Sequence, residues 1–88
     1  MDGAHNNRHK AEGLVTAYAG QIYAFCRKRT ASLQDAEDLA QEICLKLFSA
    51  LCAKGLPEYP DRFVFTVAHN QLANYYRRRA AVSVAAGR

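Results

Sequence analysis

Three stretches of this chain place apolar residues at helical spacing, and its 88 residues leave room for little besides them. In the first, Leu14, Val15, Tyr18, Ile22, Phe25 and Cys26 share one face of a 3.6-residue repeat. That spacing predicts an amphipathic helix over 11–29, closed by the cationic run Arg27-Lys28-Arg29, which suits the negative end of a helix dipole. The second stripe is Ala36, Leu39, Ala40, Ile43, Leu47, Ala50 and Leu51. Ser32 with Asp35 three residues on resembles a capping box with a shortened acid. Gly55 stands where a C-cap belongs, just past an end near Ala53, and Pro57 forbids continuation. After the stiff loop Leu56-Pro57-Glu58-Tyr59-Pro60, Asp61 is the expected N-cap of a third helix that ends in Arg77-Arg78-Arg79. Its apolar face is Val64, Val67, Ala68, Leu72 and Tyr75, with Phe65 and Tyr76 flanking it as core aromatics.

The expected fold is all-α: a compact bundle of three antiparallel helices with short loops, with room for a short extra helix at the N-terminus. The helical domain spans 11–79. Residues 1–10 carry no apolar period and are expected to fray, and 80–88 read as a tail or the start of an interdomain linker. Sixteen alanines make up much of the 50% hydrophobic content and favour helix over strand. A domain this small buries only about 60–65% of the surface its unfolded chain exposes, so its core is modest.

Several function classes are excluded at this level. No apolar run approaches the roughly 18–20 residues of a membrane span. The polar opening Met-Asp-Gly-Ala-His-Asn-Asn has no signal-peptide core, so no membrane insertion is expected. Cys26, Cys44 and Cys52 are odd in number and lie inside helical patterns, which suits reduced thiols in the cytoplasm. Their wide spacing offers no zinc site, and His5 and His9 at the terminus read as bystanders. There is no glycine-rich phosphate loop and no nucleophile–histidine–acid pattern, so no enzyme, metal or cofactor is expected.

Charge is unevenly placed. Residues 1–61 carry seven Lys/Arg against eight Asp/Glu, whereas 62–88 carry five Arg and no acid, so the net +4 resides in the last third. Two surfaces remain unexplained by the core. On the second helix, Asp35, Asp38, Gln41, Glu42 and Leu45 project opposite the apolar stripe. A solvated acidic exterior is one reading, but Leu45 amid acids is the composition of a small protein interface. On the third helix, Arg62, Thr66, His69, Asn70, Ala73, Asn74 and Arg77 share a face free of carboxylates. Asn amides suit base edges and guanidinium groups suit phosphates. Tyr59, Phe63 and Tyr75 add flat groups of the kind that stack on unpaired bases. A merely solvated basic helix is the competing reading, as is a small helical adaptor whose acidic face docks a basic helix.

The block Asp35-Ala36-Glu37-Asp38-Leu39-Ala40-Gln41-Glu42, a Pro-bearing loop, and then Phe63-Val64-Phe65-Thr66-Val67-Ala68-His69-Asn70-Gln71-Leu72-Ala73-Asn74-Tyr75-Tyr76-Arg77-Arg78 resemble conserved region 2 of bacterial sigma factors of the extracytoplasmic-function group. The likeness covers about 11–79. It implies that Asp38, Gln41 and Glu42, with Leu45, contact the clamp helices of the RNA polymerase β′ subunit. It also implies that residues 57–62 form a pocket for a base flipped from the non-template strand of the promoter −10 element. Asn70, Asn74, Arg77 and Arg78 are then expected to touch bases or backbone, and an anti-sigma factor is an expected partner. Three positions depart from the family's habit: Phe63-Val64 replaces Trp-Leu, Cys44 replaces an aromatic, and Asn74 replaces an acid. The family's −35-reading domain has no counterpart here; the chain is expected to be part of a longer protein, with a divergent single-domain protein as the alternative.

Overall fold

The computed structural model describes residues 2–86, which form three helices: α1 Asp2–Arg29, α2 Leu33–Lys54 and α3 Pro60–Ala86. The all-α bundle follows the three apolar stripes. Ile22, Phe25 and Cys26 of α1 are buried with Ala36, Leu39, Ile43, Leu47 and Leu51 of α2 and with Val64, Ala68, Leu72 and Tyr75 of α3. Each fully buried Leu or Ile contributes about 1.5–3 kcal/mol relative to exposure. Leu14, Val15, Tyr18, Ala40, Phe63, Phe65 and Val67 pack half-buried around this core. α1 lies mainly against α2, and α3 packs more on α2 than on α1, in an elongated body of 54 × 22 × 20 Å.

The junctions show why the helices start and stop where they do. Thr30 Oγ1 donates to the Cys26 carbonyl at 2.8 Å, closing α1. Ser32 is extended (φ −146°, ψ 164°), and its Oγ accepts from the Asp35 amide at 3.1 Å, as the capping reading requires. Gly55 ends α2 with φ 84° and ψ −177°, a conformation essentially confined to glycine, and its amide donates to Leu51 at 2.7 Å.

Four expectations need correction. α3 begins at Pro60, not after an Asp61 cap; proline suits the first helical position because its missing N–H has no partner there. Asp61 lies inside the first turn, where its carboxylate accepts from the Tyr18 hydroxyl and ties α3 to α1. α1 starts at Asp2 as one continuous helix rather than a frayed end or a separate N-terminal helix. Toward that end, Ala11 is fully buried and the Asn7 side chain lies against Gly55. α3 continues past Arg79 to Ala86, through alanine-rich sequence of high helix propensity. Finally, Tyr76 is half exposed rather than core, its hydroxyl donating to the Arg29 carbonyl at 3.0 Å. Met1, Gly87 and Arg88, the outermost residues of the two terminal segments, lie outside the described residues.

Candidate functional site

The helical repeat divides the acidic face of α2 into two strips. Asp38, Gln41 and Leu45 point to solvent, Leu45 with 64% of its surface exposed. Asp38 accepts a hydrogen bond from Gln34 Nε2 at 3.0 Å, an i, i+4 pair on the same helix. Asp35 and Glu42 instead line the seam with α3. Asp35 Oδ2 accepts from the Tyr75 hydroxyl at 2.7 Å and from Arg79 Nη1 at 3.1 Å. Glu42 Oε1 pairs with Arg78 Nη2 at 3.1 Å. The five α2 residues singled out by sequence are thus one surface with two environments.

On α3, Arg62, Thr66, His69, Asn70, Ala73 and Arg77 are exposed along one side, as the helical wheel requires, with no carboxylate among them. The Arg62 guanidinium lies over the exposed ring of Tyr59, 5.3 Å from its centroid, so the cation and the flat group form one unit at the start of the helix. His69 meets Phe25 of α1 edge-on at 5.0 Å between ring centroids. Asn74 is half-buried toward α2 and accepts from Arg77. Phe63 is half-buried against the core, with only part of its ring facing outward.

Tyr75 does not belong with the flat groups offered to bases. It is buried at 7% exposure, and its hydroxyl both donates to Asp35 and accepts from the Ala31 amide at 3.2 Å. One phenol therefore fastens the α1–α2 turn and the start of α2 to α3. Arg79, which sequence reasoning left as a helix-end charge, stacks over the Tyr75 ring at 5.7 Å while pairing with Asp35. No local pattern could flag this, because the partners lie 40 and 44 residues apart.

Between α2 and α3 runs an open cleft of two adjoining hollows of about 490 and 520 Å3, both bordered by Glu42 and Arg78. Asp35, Tyr75 and Arg79 line the first; Leu45, Gln71 and Asn74 line the second. Titration behaviour is shifted elsewhere. Burial, with a further contribution from the Cys44 thiol, pushes Cys26 up to about 11, and burial also raises Cys44. The hydrogen bond to Asp61 raises Tyr18. Such thiols are poor nucleophiles, and no cluster of potential metal ligands exists among the described residues. Nor is any helix of the described residues long and apolar enough to cross a membrane. The geometry sets an acidic face on α2 and a carboxylate-free face on α3, with a polar cleft between the two helices.

Residues 14–82 of this helical bundle match the Sigma-70 region 2 family model, and the chain belongs to that family. It is also similar to RNA polymerase sigma factor YlaC of Bacillus subtilis (strain 168), with 31% identity over 72 residues that make up 82% of this chain. The chain spans 42% of that relative's length. No solved structure gives a significant match. The family is one of transcription-initiation factors, not of enzymes.

Proposed function

We propose that this domain docks on core RNA polymerase through the acidic face of α2, against the clamp helices of the β′ subunit. Once docked, it recognises and helps melt the promoter −10 element through α3 and the loop before it. The observation that carries this reading is the carboxylate-free face of α3, with Arg62 and Arg77 near its ends and Asn70 between them. Unstacking a base costs a few kcal/mol, and an extruded base held beside Tyr59, with a neighbouring phosphate on Arg62 and a more distant phosphate of the strand on Arg77, offsets that cost. Asp38, Gln41 and Leu45, exposed on α2 away from this face, supply a separate surface for a basic helix. An anti-sigma factor that covers either surface would silence the domain.

Two sets of variants test the reading. Reversing charge at Asp38 and Glu42 together is expected to abolish pull-down of the β′ clamp helices while helical content stays intact; undiminished pull-down refutes the docking assignment. Asn70→Ala and Arg77→Ala, each assembled with core polymerase, are expected to lose open-complex formation on a promoter. If both retain it while the acidic face still captures a basic helix, the domain is a protein-docking adaptor instead.

A further inference from the structure

The start of α3 carries the groups proposed to meet an unpaired base. Tyr59 is 60% exposed, and the Arg62 guanidinium rests over its ring, 5.3 Å from the centroid. The Tyr59 carbonyl accepts from the Phe63 amide at 3.2 Å, so Tyr59, Asp61 and Arg62 belong to one turn. Val64, fully buried, and Phe63, half-buried, anchor the inner side of that turn in the core. Its outer side has a single tether. Among the described residues, donation from the Tyr18 hydroxyl of α1 to Asp61 Oδ1 is the one side-chain hydrogen bond that reaches residues 56–63. Asp61 and Arg62 stand about 100° apart around the helix and so point different ways. The carboxylate turns to Tyr18, and the guanidinium turns to Tyr59.

We infer that Tyr18 is a positioning residue for the nucleic-acid end of α3: through Asp61 its hydroxyl fixes the turn that offers the Tyr59 ring to an unpaired base and the Arg62 guanidinium to a neighbouring phosphate. The inference rests on the base contact proposed above and names what holds that contact in register. A ring already fixed in its stacking orientation loses less freedom when a base arrives, so the tether acts by pre-ordering the turn. In this role Tyr18 touches no base itself. Its ring packs half-buried on the core and only its hydroxyl reaches Asp61, so Tyr18→Phe removes the tether and leaves the packing. The structure supplies its own comparison. Tyr76 also joins α3 to α1 by a phenol, donating to the Arg29 carbonyl at 3.0 Å, but at the opposite end of the helix from Tyr59.

The probe is end-labelled oligo-dT carrying one central 2-aminopurine, a fluorescent base whose emission falls when it stacks, titrated at low salt with the full chain. Anisotropy of the end label reads affinity, and the 2-aminopurine quench at saturation reads stacking. Tyr18→Phe is expected to weaken binding by about two- to fivefold, part of what one stacked base contributes, and to reduce the saturating quench. Asp61→Ala removes the acceptor and is expected to reduce the quench to the same level, with the double variant no lower than either single one. Tyr76→Phe is expected to change neither readout. In a Tyr59→Ala background, Tyr18→Phe is expected to leave the residual quench unmoved. A Tyr18→Phe quench equal to wild type, additive losses in the double variant, an equal loss in Tyr76→Phe, or a Tyr18→Phe effect that persists without Tyr59 would each overturn the positioning role. A wild-type quench that survives Tyr59→Ala, or failure of wild type to bind the probe, overturns the base contact beneath it and the role of Tyr18 with it, a result distinct from the others.

Discussion

Removing one oxygen atom from Tyr75 tests how the bundle is fastened. Tyr75→Phe keeps the buried ring, so no cavity opens and the apolar contribution is unchanged. What disappears is a hydroxyl with two bonds: donation to Asp35 at 2.7 Å and acceptance from the Ala31 amide at 3.2 Å. A bond to a carboxylate contributes about 1.5–3 kcal/mol and a neutral one about 0.5–1.5. Asp35 retains Arg79, and the Ala31 amide lies near solvent, so both orphaned groups are partly compensated. The expected loss is therefore about 2 kcal/mol, toward the lower end of the sum. For a domain of this size that lowers Tm by on the order of 10 °C. The assay is urea unfolding followed by circular dichroism, with Tyr76→Phe as the comparison. Tyr76 gives up a single exposed bond to the Arg29 carbonyl, and its loss is expected to stay below about 0.5–1 kcal/mol. If Tyr75→Phe changes stability by less than Tyr76→Phe does, the fastening role assigned to the Tyr75 hydroxyl is wrong.

Two further substitutions separate backbone effects from packing and titration. At Gly55 a Cβ would meet nothing closer than Asn7 Oδ1 at 3.5 Å, so Gly55→Ala is expected to cost about 1–3 kcal/mol from backbone conformation alone. Gly20→Ala, inside α1 with no neighbour within 4 Å of the added methyl, is expected to gain about 0.5–1 kcal/mol; equal effects at the two sites in urea unfolding would contradict this account. Cys26 is raised in the folded state from 9.0 to about 11, so the native state holds its proton longer than the unfolded chain does. Its contribution is complete below the unfolded value and is lost as pH climbs through the folded one. Stability is expected to fall between about pH 9 and 11 by less in Cys26→Ala than in wild type, and parallel pH profiles would exclude the thiol as a source of that decline.

The helices and most of the core were legible because helical periodicity is a local signal. Ile22, Ile43, Leu47 and Val64 sit on their stripes and are fully buried. Ser32 was legible for the same reason, since its cap closes over three residues. The first ten residues were not, because nothing in Asp-Gly-Ala-His-Asn-Asn repeats, and the contact of Asn7 with Gly55 of the α2 end leaves no local signal. Asp61 misled because an acid ahead of an apolar run looks like a cap, whereas Pro60 already supplies the first helical φ angle. Tyr75 was readable equally as core or as a base-stacking group. Only the position of its hydroxyl, between Asp35 and Ala31, decides between them. The ion pairs of the cleft had no sequence signal at all: 36 and 44 residues separate their members. The helical repeat thus predicts which residues share a side of each helix, while the contact between the two helices along one seam has no local signal.

That seam changes what the cationic last third of the chain offers to phosphate. Four arginines of α3 lie among the described residues, Arg62, Arg77, Arg78 and Arg79, and formal charge counts them equally. Only Arg62 and Arg77 are without a carboxylate partner in the structure. When Arg78 or Arg79 moves to a phosphate, the carboxylate it leaves behind gathers a cation of its own, cancelling part of the counterion release that salt opposes. Each phosphate fully neutralised on a single strand contributes a slope of about −0.7 to log K against log salt. Two free arginines then give about −1.4, and four would give about −2.8. Wild type is expected near the shallower value with oligo-dT, and Glu42→Gln is expected to steepen it by releasing Arg78. A wild-type slope at or beyond about −2.8 would mean that the cleft holds no charge in reserve, and that the arginines of α3 act as independent cations.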